Sequence, residues 1–308
     1  MLVLIAGITG NVGQHLARAA IKHGLSVRGL GRSPQKLDPA IQLESFVTIQ
    51  NYHDDIPQLD AAMKGINAVI VANAGNAELQ LEAQLLLLRA AERSDTVRIF
   101  HAQSWSYDWR TLQLGEHEMY DPFLMFARQA ELSAARRLRP LYLFTGVLGE
   151  VLLGAAGHHS FAPQNGGGIW DPATKTLEYY GTGDERYFWT AERDAAELSI
   201  ALILSQNAEK GGYYTGFSGE LSPRELVDLY TRIKGEAALL VHRGTVEDLE
   251  QRAMKGREEG NVQEPWVYIG AFYQWFVVNG CWTLEKSPEL ANVPMTSIED
   301  FLRGDESM

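Results

Sequence analysis

Three glycines set the first chemical expectation. In the stretch AGITGNVG, Gly7, Gly10 and Gly13 stand three residues apart, between an apolar run and an amphipathic one. Glycine at this spacing lets a strand-to-helix turn bend tightly, bring backbone N–H groups against a pyrophosphate and pack the helix close to the strand. The helix N-terminus adds a favourable field for the anion. Thr9 and Asn11 add side chains that can hydrogen-bond there, and Val12 follows on the helix. The chemistry this implies is dinucleotide binding. The next apolar run ends in RGLGRSPQK, with no acid before Asp38. An acid there would hold a ribose 2′-hydroxyl. Arg32 stands there instead, with Lys36 one turn further on and Arg28 expected to face the same way. Their charge suits a 2′-phosphate, so NADP(H) is expected over NAD(H).

A second group lies in HAQSWSYDW, 101–109. Tyr107 and Asp108 fall in a loop after a strand, on the carboxyl edge where ligands bind. A tyrosine beside a carboxylate is a candidate acid, or a pair that orients a substrate hydroxyl. His101 lies within the strand and reads as a packed core histidine. His117 and Tyr120 follow on a connecting loop that can reach inward. His158 and His159 have no carboxylate at ligand spacing nearby, so no metal site is expected. Trp266, Tyr268, Phe272, Tyr273, Trp275 and Phe276 either fill core or wall a pocket. GGGIW, 166–170, is the candidate for a mobile flap.

These groups need a scaffold, and the hydrophobic pattern describes one. Apolar runs at 2–7, 26–32, 67–75, 97–103 and 141–147 read as strands. Amphipathic runs at 12–24, 56–65, 77–95 and 123–138 read as helices between them. Such alternation indicates βαβ units and a parallel sheet. The strands are continuously apolar, as expected for burial on both faces. The fold class is α/β: a Rossmann-type doubly wound parallel sheet with a smaller C-terminal, substrate-covering lobe. The expected division is an NADP-binding domain over 1–150 and a lobe over 151–308, the lobe partly contributing to the same sheet. Within the lobe, 163–183 reads as loop and hairpin. The stretches 192–206, 222–235, 246–260 and 264–282 read as helices, the third of them solvated.

Bulk properties narrow the function. Among 308 residues the formal net charge is −12, which repels phosphate backbones and argues against nucleic-acid binding. A single cysteine, Cys281, excludes a disulfide framework or a cysteine zinc site within one chain. No run approaches the ~20 apolar residues of a membrane helix. The apolar start lacks a basic lead and breaks at Gly7, so it reads as a buried strand. The expectation is a cytoplasmic protein with a small-molecule substrate, monomeric or homodimeric.

LIAGITGNVG, VRGLGRSPQK, NYHDDIPQLDAAMKGINAVIVANA, VRIFHAQSWSYDW and the closing VPMTSIEDFLRG occur in an order that resembles the NmrA-like and isoflavone reductase-like group of atypical short-chain dehydrogenases/reductases. The look is nearest to fungal NmrA-like proteins. The likeness spans nearly the whole chain and is clearest over 1–150. It implies that Gly7, Thr9, Gly10, Asn11, Val12 and Gly13 hold the pyrophosphate, and Arg32 and Lys36 the 2′-phosphate. It places Asn51 and Tyr52 beside the adenine, where the family often has an aspartate. It places Ala72, Asn73 and Ala74 along the ribose, Gln103 and Ser104 near the nicotinamide, and Gly146, Val147 and Leu148 on the same side.

The resemblance also exposes a gap. Members that reduce substrates commonly carry a lysine four residues before a helical glutamate, and a tyrosine four residues before that. Here the glutamate is Glu131, and the pair reads Phe123 and Ala127. Neither relays a proton. Arg128 is adjacent, but it is turned about 100° around the helix and its guanidinium stays charged. Three readings follow. The first is an NADP(H)-dependent oxidoreductase on an aromatic or polyketide-like compound of secondary metabolism, with an acceptor needing little acid help. The second is a non-redox isomerase, cyclase or dehydratase on the same scaffold. The third is a non-catalytic NADP sensor that works through a protein partner.

Overall fold

The structure is a computed structural model that describes residues 1–73, 78–133, 137–158, 162–164, 167–261 and 264–304. Its first strand shows the logic of the sheet. β1, Leu2–Ala6, is apolar at every position, and Val3, Leu4 and Ile5 are wholly buried. Only a strand covered on both faces tolerates that pattern. β1 pairs in parallel with β2 (Ser26–Gly31) on one side and β4 (Ala68–Val71) on the other. β3 (Ser45–Thr48) adds to β2, β5 (Ile99–His101) to β4, and β6 (Leu141–Phe144) to β5. β7 (Val147–Leu148), β8 (Trp170–Asp171), β9 (Thr176–Tyr180) and β10 (Tyr187–Thr190) lie outside this sheet. β11 (Gly212–Thr215) returns to it beside β6. Among the described residues the sheet is seven-stranded and parallel, in the order β11–β6–β5–β4–β1–β2–β3.

Two layers cover it. α1 (Asn11–Lys22) and α6 (Glu192–Leu204) pack together on one face, where Leu16, Ala17, Ala20, Ala196 and Ile200 are wholly buried. α2 (Ile56–Ala62), α3 (Gln84–Arg93) and α4 (Asp121–Leu132) cover the other. The remaining residues build the lobe. α5 (Gly149–Leu152) follows β7. β12 (Gly219–Leu221) pairs with β10, which pairs with β7. α7 (Pro223–Lys234) starts with a Ser222–Glu225 capping box. β13 (Leu239–Gly244) joins the β8–β9 hairpin. α8 (Val246–Glu259), α9 (Ile269–Val278) and α10 (Ile298–Arg303) complete the chain.

Several expected elements come out differently. β3 and β13 had no sequence signal; both are partly exposed, so neither shows a buried-strand run. α4 stops at Leu132 rather than 138. Ser133 turns extended, and its hydroxyl donates to Glu92 (2.9 Å). The 264–282 helix shrinks to α9, after a separate turn over Pro265–Val267. α8 is not simply solvated. Leu249 and Ala253 are wholly buried, and Arg257 lies 3.9 Å over the Phe272 ring and pairs with Glu118.

Candidate functional site

The phosphate turn is built by close contact. Gly7 adopts φ +78° with its N–H on the Leu30 carbonyl (2.9 Å), and Gly10 N–H returns to the Gly7 carbonyl (3.0 Å). A Cβ on Gly13 would collide with that same carbonyl and lie 2.7 Å from Ile8 Cα. α1 begins at Asn11, and no side chain caps it. Its first N–H groups therefore face outward as donors.

A cleft beside this turn is lined by Gly7, Thr9, Gly10, Arg32, Lys36, Tyr52, Ala72 and Asn73, among others. Arg32 and Lys36 are exposed, and neither forms an ion pair among the described residues. Tyr52 donates to Asn73 Oδ1 (3.0 Å), and burial pushes the Tyr52 hydroxyl up to about 12. Asn73 Nδ2 is buried with no partner, a donor waiting for an acceptor. Small residues where a Cβ would clash, free cations and an orphaned amide together fit a phosphorylated dinucleotide.

Other expected contacts are placed elsewhere. Arg28 does not face the cleft. It binds Glu44 and the carbonyls of Ala62 and Lys64, each carbonyl at 2.8 Å. Asp38 is held by Arg18 (2.5 Å). Asn51 spends its side-chain oxygen on His53 N–H (2.8 Å) and is not in the cleft lining. The Ser104 hydroxyl stitches β5 to β6, donating to Leu143 O and accepting from Leu143 N–H (2.7 Å). Gln103 is held through its backbone N–H by Gln84, and its own side-chain oxygen is buried without a partner. Ala74 lies outside the described residues. Val12 packs into the core beside α1, and Asn11 reaches across to the Gly157 carbonyl (3.4 Å).

That contact leads to a carboxylate–imidazole cluster that sequence spacing could not show. His158 meets Glu192 at 3.1 Å, and His15 of α1 stands 3.9 Å from the same carboxylate. Burial and the charge of Glu192 push Glu150 up to about 7. Burial opposes the His158 imidazolium, but the bond to and charge of Glu192, the Ala156 carbonyl and the charge of Glu150 together outweigh it and raise its pKa. His159 lies outside the described residues. No group of three or more metal-binding side chains occurs among those described.

The larger cavity, ≈ 580 Å³, opens beyond the carboxyl ends of β5 and β6. Its walls come from the loop after β5 (Ser106, Tyr107), the start of α4 (Tyr120), Gly146, Val147 and Leu148, β10 (Tyr187), and the segment around α9 (Trp266, Gly270, Tyr273). None of its described lining residues is charged. Its volume suits one drug-sized ligand.

Here the two expected catalytic neighbours part company. Tyr107 lines the cavity, but its hydroxyl donates to the Phe188 carbonyl (3.2 Å) and its ring stacks on Trp282 at 4.7 Å. Burial raises its pKa. Asp108 does not line the cavity. It turns the other way into a two-pronged bond with Arg110 (2.5 and 2.9 Å), which lies over Tyr213. Adjacent loop residues point apart, so sequence adjacency does not make a pair.

Ala127 and Phe123 are not in this cavity either. Phe123 packs on Trp109, and Ala127 borders a different opening with Tyr142 and Tyr213. The α4 residue that reaches the cavity is Tyr120, just before the first helical turn. Of the C-terminal aromatics, Trp266 and Tyr273 line the cavity while Tyr268, Phe272 and Phe276 are core. His101 and His117 are wholly buried, and burial pulls them down to about 4 and about 3. The 166–170 flap is anchored where described. Gln274 donates to the carbonyls of Gly167 (2.5 Å) and Gly168 (3.0 Å), and Trp170 is buried. Gly166 lies outside the described residues.

Comparison with known proteins agrees with this layout. Residues 7–139 match the NAD(P)H-binding family, so the glycine turn opens an NAD(P)H-binding domain. A bifunctional pinoresinol-lariciresinol reductase from Linum usitatissimum is 23% identical, with 97% of each chain covered. An isoflavone reductase structure matches with a TM-score of 0.71 at 18% identity, covering 98% of both chains. A leucoanthocyanidin reductase from Vitis vinifera, solved with NADPH, matches with a TM-score of 0.74 at 16% identity over 99% of both. The relatives are thus isoflavone reductase-like atypical short-chain dehydrogenases/reductases, the group the sequence resembles, and the solved structures share this fold.

Proposed function

We propose, from an NAD(P)H-binding domain set in an isoflavone reductase fold, that this chain is an NADP(H)-dependent oxidoreductase acting on a small, uncharged aromatic or polyketide-like compound. One observation carries the reading. A ≈ 580 Å³ cavity with tyrosine and tryptophan walls and no charged lining residue opens on the same sheet edge as the cationic cleft. Carboxylates and phosphates would lose their hydration in such a cavity without gaining a cation. A neutral aromatic compound loses little and gains contact area.

The chain's own groups divide the work. The α1 N–H groups and the glycine turn would hold the pyrophosphate, and Arg32 and Lys36 the 2′-phosphate. Asn73 Nδ2 would meet the nucleotide, while Gly146, Val147 and Leu148 join the nucleotide side to the substrate cavity. When bound, the cofactor supplies or takes a hydride. Tyr107, as a proposed site residue, shapes the cavity through its ring while its hydroxyl stays on Phe188. Asp108 acts only through Arg110. A lysine relay is absent, with Ala127 at the corresponding position of α4.

The same lining argues against the non-redox reading. An isomerase or dehydratase needs a base that ionises near neutral pH. The described lining has no histidine, lysine or carboxylate, and burial raises its tyrosines. Titration with NADPH and NADH, followed by nicotinamide fluorescence, then turnover with quinones and enones, tests the proposal. The expected result is tighter NADPH binding and oxidation by at least one uncharged aromatic acceptor. Tight binding without turnover across the panel would favour the sensor, and absence of binding would remove the cofactor assignment.

A further inference from the structure

Hydride addition to a conjugated acceptor leaves negative charge on an oxygen, and something must meet it. Four phenols line the cavity: Tyr107, Tyr120, Tyr187 and Tyr273. Tyr107 has spent its hydroxyl on Phe188. The Tyr187 hydroxyl is also buried without a partner, but burial, Tyr107 and the Glu185 carboxylate all disfavour negative charge there. No carboxylate acts on Tyr120. Its ring is clamped by His117 (centroids 4.6 Å apart), Trp282 (5.4 Å), Tyr273 (5.7 Å) and Phe123 (5.9 Å). It is 1% exposed. Its hydroxyl lies near Ser106 and Tyr273, which act on its ionisation, yet it reaches hydrogen-bonding geometry with no described residue. A buried hydroxyl without a partner in the wall of a ligand-sized cavity points to a ligand acceptor.

We propose that the Tyr120 hydroxyl is the hydrogen-bond donor that receives the substrate oxygen of a conjugated acceptor. This rests on the reductase reading above, with reduced nicotinamide as the reductant. The hydride brings two electrons to the electrophilic carbon. The C=C π pair shifts, and the carbonyl becomes a phenolate or an enolate. Tyr120 keeps its proton and hydrogen-bonds to that oxygen, and the product takes its proton from water.

The cavity explains why the acceptor must be conjugated. An isolated ketone would yield an alkoxide, basic enough to strip the tyrosine and strand a tyrosinate with no cation in the lining. Burial, with the neighbouring Tyr273 ring, raises the Tyr120 hydroxyl, and His117 behind the ring is kept neutral by burial. The oxyanion of a conjugated product is far less basic than an alkoxide, so it can accept the Tyr120 hydrogen bond without taking the proton. A protonated, pKa-raised acid that donates a hydrogen bond to an oxyanion is a known solution to this problem.

Phenols of graded acidity, from 4-methylphenol to 4-nitrophenol, are product-like probes whose ionised form absorbs separately. The test is their spectrophotometric titration into the protein with NADP+. Binding as the phenolate, tighter for more acidic phenols, is expected. Tyr120→Phe should weaken it at least tenfold and leave NADPH affinity unchanged, whereas Tyr107→Phe should cost less than threefold. Unchanged binding in Tyr120→Phe would overturn the proposal. So would a wild-type affinity that is flat across phenol acidity, and that arm needs no variant to fold. Failure of the reductase reading is seen separately, as NADPH that does not bind in the fluorescence titration or that binds and is oxidised by no quinone or enone.

Discussion

The cationic cleft and the aromatic cavity share one sheet edge but are made of opposite materials. The cleft is backbone and exposed cation: glycines at close backbone contacts, helix N–H groups, and Arg32 and Lys36 with no ion pair among the described residues. The cavity is buried aromatic side chain with no charge in its described lining. The first is geometry that a short segment can build alone. The second needs several distant segments. Charge lines one and is missing from the described lining of the other.

The largest effect should separate the two halves. Gly13→Val places atoms against the Gly7 carbonyl and Ile8. It should cost NADPH binding at least a hundredfold and shift phenol binding less than threefold, as read by parallel titrations. A joint loss would show that the cavities are one unit. Arg32→Ala sharpens the comparison on the cationic side. A charged hydrogen bond is worth roughly 1.5–3 kcal/mol, so NADPH should weaken about ten- to a hundredfold while NADH changes little, both by fluorescence. On the neutral side, an aromatic carboxylate should bind the cavity at least tenfold more weakly than its methyl ester, as measured calorimetrically.

The smallest effect concerns Glu150, in the cluster between the halves. Its carboxyl is raised to about 7 in the fold against an ordinary value near 4.5. Between those values the native chain holds a proton that the unfolded chain has released. Stability from this group is therefore present below about 4.5 and is lost as pH rises through about 7. His101 and His117 act in the opposite sense. The unfolded chain takes up their protons below about 6.5, while the native pKa values are about 4 and about 3. Their effect is to lower stability as pH falls from 6.5. Wild-type stability should change modestly between pH 7.5 and 5 because the contributions oppose. Glu150→Gln should fall more steeply, by roughly 2 kcal/mol, in urea unfolding at the two pH values.

The same contrast decides what could be read from sequence. Gly7, Gly10, Gly13, Arg32 and Lys36 lie within short, consecutive stretches, so spacing suffices to mark them as one group. The parallel sheet was legible for a similar reason, since each buried strand is an unbroken apolar run. The cavity was not, because Tyr120, Tyr187, Trp266 and Tyr273 meet only after folding. Tyr107 and Asp108 illustrate the limit: adjacent in sequence, they diverge once Arg110 captures the carboxylate. Glu192 shows the converse, reaching His158 from a helix that spacing arguments could not place beside it.

The cavity wall is also the protein's core. Tyr107, Tyr120 and Tyr187 belong to the same buried cluster as Phe126, Phe144 and Trp189. A lineage drifting toward a new substrate would have to rebuild load-carrying aromatic packing at every step, and most steps would weaken the fold. Arg32 and Lys36 carry no such burden, being exposed and uninvolved in the core. Under the proposed function, selection can therefore trade the phosphate-bearing cofactor for its plainer counterpart far more cheaply than it can change what the cavity admits.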